Sequence, residues 1–140
     1  MSDDVGLAGR TVIIADDDDL TRGLLRSLLR VAGLEVVAET GTGERTIAAY
    51  ERLRPEIVCL DIDMPDLNGL EVLSRIRTMS AETIIIMISG ETTAENIRKA
   101  VEAKADGVIA KPFNTARLTS TIEQSVRKRR AVGGLPQSES

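Results

Sequence analysis

The stretch "VIIADDDDL", residues 12–20, decides the reading of this chain. Branched apolar residues of strand length end abruptly in four aspartates, Asp16 to Asp19. Two carboxylates about 4 Å apart repel by roughly 4 kcal/mol at an effective dielectric near 20. Solvent, splayed geometry or a cation must offset that cost. Four further apolar runs follow: "EVVAE" (35–39), "EIVCL" (56–60), "TIIIMI" (83–88) and "GVIA" (107–110). Each is short and rich in β-branched residues, as strands are.

The intervening segments carry helical spacing. Over 20–32, Leu20, Leu24, Leu28 and Val31 define an expected core face, and Gly33 supplies a C′ stop. Ile47, Tyr50 and Leu53 recur over 44–53, then Leu70, Leu73, Ile76 and Arg77 over 69–79. Ile97, Ala100 and Val101 align over 93–103, and Leu118, Ile122 and Val126 over 115–128 behind Asn114, an expected N-cap. Strand and helix alternate five times, which predicts an α/β sandwich with a parallel sheet and right-handed crossovers.

Composition narrows the function. The 140 residues include one Tyr and one Phe, so the core is aliphatic, and base stacking on exposed rings is not available. The net charge of −4 gives no global basic field for nucleic acid. There is no histidine, which removes Ser-His-Asp triads, His-ligated metals and phosphohistidine. The single cysteine, Cys59, rules out an internal disulfide framework and fits a reducing compartment. The acidic start "MSDDVGLAGR" lacks signal-peptide order, and no apolar run has membrane-spanning length. A cytoplasmic location is expected, with a loose start over 1–9, one domain over 10–130 and a mobile tail over 131–140.

The chemistry collects where the apolar runs end. Asp16 and Asp17 follow the first, Asp61 and Asp63 the third, Ser89 the fourth and Lys111 the fifth. Ligands of open parallel sheets bind beyond the carboxyl ends of the strands. Singly, these residues read as caps, turn hydroxyls and surface charges. Together, Asp16, Asp17 and Asp61 form a hard oxygen site suited to Mg2+. Lys111 and Ser89 suit a phosphoryl group instead, as point charge and donor.

The motifs "VIIADDDDL", "VCLDIDMPDLNGLEVL", "IIIMISGE" and "ADGVIAKPF" resemble the receiver domains of two-component response regulators over about residues 10–130. The resemblance implies a flavodoxin-like (βα)5 fold, a doubly wound five-stranded parallel sheet of order 2-1-3-4-5. It implies that Asp61 is the phosphoacceptor and that Asp16 and Asp17 hold Mg2+ or Mn2+, Asp17 directly. The Asp63 backbone carbonyl is then a further metal ligand, and Ser89 and Lys111 serve the phosphoryl group. It also implies a cis Lys111–Pro112 bond. The implied phosphodonor is a sensor histidine kinase or a histidine phosphotransfer protein. The implied output is docking, or phosphorylation-dependent homodimerisation, through the face of 93–104, 107–110 and 115–128. No direct nucleic-acid or membrane partner and no catalysis beyond self-phosphorylation and slow dephosphorylation are expected.

Three departures and three alternatives qualify this. Val108 stands where the family usually places an aromatic, so the common hydroxyl-to-aromatic switch lacks its ring. Lys104 stands where glycine is usual and reads as a cation at a helix end. "RKRR" (127–130) reads as a basic last helical turn rather than a nucleic-acid contact. A haloacid-dehalogenase-type phosphohydrolase shares the DxD of Asp61-Ile62-Asp63, but its nucleophile comes early and its other acids last, the reverse of the order here. A degenerate receiver used as a scaffold conflicts with the intact acids, Ser89 and Lys111. The chain can also be a receiver cut from a larger regulator.

Overall fold

The computed structural model describes residues 6–131. The elements run β1 (Thr11–Ala15), α1 (Asp19–Val31), β2 (Glu35–Thr40), α2 (Gly43–Leu53), β3 (Ile57–Asp61), α3 (Gly69–Met79), β4 (Ile84–Ser89), α4 (Ala94–Glu102), β5 (Gly107–Ala110) and α5 (Thr115–Ala131). The sheet order is β2-β1-β3-β4-β5, and every neighbouring pair is parallel. The strand–helix alternation read from the sequence and the strand order implied by the resemblance are both present.

Successive side chains of a strand point to opposite faces, and that period of two splits the core. Val12, Ile14, Ile57, Cys59, Ile86 and Ile88 pack with Leu25 and Leu29 of α1 and Leu118, Ile122 and Val126 of α5. Ile13, Val58, Leu60, Ile85 and Met87 pack with Ile47 and Tyr50 of α2, Leu73 and Ile76 of α3, and Ala100 of α4. β3 and β4 are buried at every position, which explains their unbroken apolar runs. Helices α1 and α5 therefore cover one face and α2, α3 and α4 the other. The chain changes face on either side of β1, which opens a crevice at the carboxyl ends of β1 and β3.

Local signals set the helix ends. Asp18, Thr42, Asn68 and Thr93 cap α1 to α4 with side-chain acceptors. Asn114 accepts from the Arg117 amide at 2.8 Å, as its expected capping role requires. Gly33 ends α1 at φ +98°, a conformation that favours glycine.

Two helix faces differ from the sequence reading. In α1 the buried residues are Leu25 and Leu29, while Leu20 and Val31 are 85% and 83% exposed and Leu24 is exposed too. Helix α1 carries two leucine stripes. Leu28 of the expected face is partly buried against the core, and Arg22 and Arg26 both reach Glu39 on β2. In α4 only Ala100 is buried, and Ile97 and Val101 face out. Within the start expected to be loose, Leu7 is buried in the core and the Gly9 amide donates to the Gly33 carbonyl at 2.8 Å. Residues 1–5 and 132–140, including most of the expected tail, lie outside the described residues.

Candidate functional site

Register alone brings the candidate residues together. Ala15 of β1 lies opposite Leu60 of β3, so Asp16 and Asp61 leave neighbouring strands at the same level. Asp61 pairs with Ile88, one residue short of Ser89, and Ser89 pairs with Ala110, one short of Lys111. The Lys111 amide closes this row on the Ser89 carbonyl at 2.8 Å. The Lys111–Pro112 bond is cis, as the resemblance implies.

The side chains then converge. Lys111 Nζ donates to Asp16 Oδ2 at 2.9 Å and to Asp61 Oδ2 at 3.4 Å. One carboxylate oxygen from each of Asp16, Asp17 and Asp61 lies within 4.8 Å of the others. Asp16 and Asp61 are buried and Asp17 is exposed, so the cluster opens to solvent on one side. Three carboxylates facing one ammonium leave a negative excess. That donor set, all hard oxygen, fits a divalent cation such as Mg2+.

Burial of Asp61 raises its carboxyl pKa to about 6, opposed by the Asp63 amide; the charge of Asp16 raises it further, and Lys111 lowers it. Burial also works against the Lys111 charge, but the bonds and charges of Asp16 and Asp61 outweigh it and hold the ammonium above its ordinary value. Asp61 is thus a carboxyl whose charge is costly without more positive charge beside it.

The loop after β3 wraps the acceptor. The Asp63 amide donates to Asp61 Oδ1 at 3.1 Å, which fixes the Asp63 backbone beside the cluster while its side chain stays exposed. The loop closes where the Gly69 amide meets the Ile62 carbonyl at 2.7 Å. A Cβ on Gly69 would lie 2.1 Å from the Asp61 carbonyl oxygen, so only glycine permits this approach. Ser89 is fully buried at the end of β4, and its Oγ accepts from the Glu91 amide at 2.9 Å.

The structure brings Asp16, Asp17, Asp61 and Lys111 into one cluster, with Asp63 and Ser89 bordering it. Asp18 and Asp19 serve α1 instead: Asp18 accepts from the Thr21 amide and hydroxyl, and Asp19 pairs with Arg22. Sequence reasoning missed Arg22, which donates to the Asp16 carbonyl at 2.7 Å and reaches Glu39. Its i,i+3 spacing from Asp19 is a visible but weak signal. Val108, partly buried, packs against the core on the α4 side, and no aromatic is near it in sequence except Phe113.

The pattern matched by these residues is shared. The family described as response regulator receiver domain matches residues 12–123. This chain belongs to that family. The receiver shares 31% identity over 116 residues with the chemotaxis protein CheY of Thermotoga maritima, covering 83% of this chain and 97% of that one. It shares 30% identity over 119 residues with a cyclic di-GMP phosphodiesterase of the same organism, but covers only 32% of that protein. In structure it resembles a chain of the CheX-CheY-BeF3-Mg+2 complex from Borrelia burgdorferi, at TM-score 0.81 and 25% identity, over 84% of this chain and 89% of that one. Among the described residues no helix is long and apolar enough to cross a membrane.

Proposed function

We propose that this receiver accepts a phosphoryl group on Asp61 from a phosphohistidine and signals through protein contacts. The observation that carries this reading is the meeting of Asp61 with Lys111 and the Asp16–Asp17 pair at the carboxyl end of the sheet. An Asp61 carboxylate oxygen attacks phosphorus in line; the new O–P bond forms as the donor N–P bond breaks, and the imidazole leaves with the electron pair. Lys111 lies where it can neutralise a phosphoryl oxygen, and the buried Ser89 hydroxyl can donate to the product. Asp16, Asp17, Asp61 and the Asp63 carbonyl would hold Mg2+ or Mn2+. Such an ion supplies positive charge to the phosphoryl oxygens in transfer.

The donor needs a docking face beside this cluster. The outward stripe of Leu20, Leu24 and Val31 on α1 begins at the mouth of the site. Such a stripe suits a kinase or a histidine phosphotransfer protein. The downstream face is that of α4, β5 and α5, where Ile97 and Val101 stand exposed among Arg98–Glu102 and Lys99–Glu95 pairs. We place the protein in the cytoplasm, as a signalling receiver. A second reading, the receiver segment of a larger regulator, is favoured by the match to a minor part of the phosphodiesterase.

The direct test is chemical. Incubation with acetyl phosphate and Mg2+, then borohydride reduction, converts an aspartyl phosphate to homoserine. Peptide mass spectrometry should place that homoserine at residue 61 alone. Homoserine at another acid, or none, overturns the assignment.

A further inference from the structure

Asp66 is exposed, lies outside the carboxylate cluster and carries no role in the reading above. Its two oxygens are nevertheless fully directed. Oδ1 accepts from the Gly43 amide at 2.7 Å and Oδ2 from the Glu44 amide at 2.9 Å. These are the first two amides of α2, and Thr42 Oγ1 takes the third, from Arg45, at 3.2 Å. The helix is therefore capped partly by an acid more than twenty residues further along the chain. Amide donors at a helix start favour a carboxylate in charged form. The Glu44 and Gly43 amides accordingly hold the Asp66 carboxyl well below its ordinary value, at about 2.

The contact is close as well as charged. A Cβ on Gly43 would lie 2.6 Å from Leu67 Cβ and 3.0 Å from Val72 Cγ2, so the start of α2 is pressed against the loop of 62–68 and the first turns of α3. Along that loop, Asp63 is fastened to Asp61 at one end and Gly69 to Ile62 at the other. Asp66 fastens its middle. On the other side, a Cβ on Gly41, just before the Thr42 cap, would lie 3.9 Å from Asp17 Cα and from the Asp16 carbonyl oxygen. One carboxylate thus ties together the two loops that border the cluster.

We propose that Asp66 is a positioning residue for the metal-dependent reaction at Asp61. By pinning the middle of the 62–68 loop to the start of α2, it holds the Asp63 backbone in register with Asp61 and the acidic pair. This rests on the proposed phosphoacceptor function and adds a residue outside its reacting groups. Groups that orient a metal's ligands without touching the ion commonly change affinity by 10- to 100-fold, and Asp66 is further out than most.

The test is a direct Mg2+ titration followed by amide NMR, with labelling by acetyl phosphate as a separate readout. Asp66→Ala should weaken Mg2+ binding by about 3- to 10-fold and shift the Asp63 amide. Its labelling rate at saturating Mg2+ should recover to near wild type. Asp66→Asn keeps one acceptor and should fall between the two, which also covers a poorly folding alanine variant. Ala48→Gly, at an exposed position of α2, should lower the melting temperature without moving Mg2+ affinity. Wild-type Mg2+ affinity in both Asp66 variants, beside normal wild-type labelling at Asp61, overturns the clamp alone. No saturable Mg2+ site in the wild-type chain overturns the clamp and the metal site together.

Discussion

The two ends of the sheet both gather buried charge, and they do so in opposite ways. At the amino end Asp106, just before β5, faces two guanidiniums. It accepts from Arg77 Nη2 at 2.8 Å, the Ile85 amide at 2.9 Å, Arg129 Nε at 2.8 Å and Arg129 Nη2 at 3.2 Å. At the carboxyl end three carboxylates share one lysine. A carboxylate whose lone pairs are answered from several elements is a joint, here holding α3, β4 and α5 together. A carboxylate cluster short of positive charge is unfinished, and it is completed by what it binds. The sign of the local imbalance, rather than burial or the mere presence of acids, separates structure from function in this receiver.

That contrast can be broken most sharply by removing one acid at each end. Asp61→Asn should abolish labelling by acetyl phosphate, because it removes the carboxylate proposed as the nucleophile. It should at the same time raise the melting temperature of the metal-free protein at neutral pH, because it removes one of three repelling charges. Asp106→Ala should do the reverse. It leaves Arg77 and Arg129 largely buried without their acid, at a cost of roughly 3 kcal/mol, or about 10 °C in melting temperature. Labelling of the variant that remains folded should stay close to wild type. Melting temperatures that move in the same direction for both variants would show that the two ends do not differ in the way argued.

Acidity gives a gentler handle on the same difference. The Asp61 carboxyl is raised to about 6 in the fold, against roughly 3.9 in an unfolded chain. The folded state therefore holds its proton more tightly. The stability this contributes is complete below about pH 4 and is lost as pH rises through about 6. Subtracting the Asp61→Asn melting curve from the wild-type curve isolates this group from Asp66 and the other acids. The metal-free difference should grow between those limits and level off above them. Mg2+ held by this cluster would compete with that proton, so its stabilisation should be large at pH 7.5 and nearly absent at pH 4. A Mg2+ effect independent of pH would mean that the ion binds elsewhere.

What could be read from the sequence follows from where the information is local. Strand ends announce the site because a strand's last residue and the next few must sit at the sheet edge. Asp16, Asp17, Asp61, Ser89 and Lys111 were each legible for that reason. The faces of α1 and α4 were not. Two leucine stripes can be drawn on α1, and the choice between them is made by packing against distant strands and α5, which the helix's own sequence does not mark. Asp66 and Asp106 were silent for a related reason. Their partners Gly43 and Arg129 lie 23 residues away, and nothing adjacent to either acid marks the pairing. Lys104 was half legible: the resemblance marks it as unusual, but its cause is conformational, at φ 72°.

Lys104 supplies the smallest and most discriminating effect. It ends α4 in the left-handed region, where an L-residue with a Cβ pays roughly 1–2 kcal/mol. Its carbonyl, not its ammonium, is engaged, accepting from Arg77 Nε at 3.0 Å and Nη2 at 2.8 Å. The residue therefore belongs to the joint at the amino end. Lys104→Gly relieves the left-handed cost and keeps the carbonyl, but frees the unfolded chain by about 0.5–1 kcal/mol. It also removes a cation from a helix end, a term near 0.3 kcal/mol at so exposed a position. The net expectation is a gain of about 0.5 kcal/mol, or some 2 °C, with Mg2+ affinity and labelling unchanged because the change lies at the far end of the sheet. A fall in melting temperature would mean that the ammonium, acting on the helix end, outweighs the backbone. Lys104→Ala then decides the matter, since it removes the charge while retaining the Cβ: a loss as large as that of glycine or larger assigns the effect to charge, and a smaller loss assigns it to the added freedom of the unfolded glycine chain.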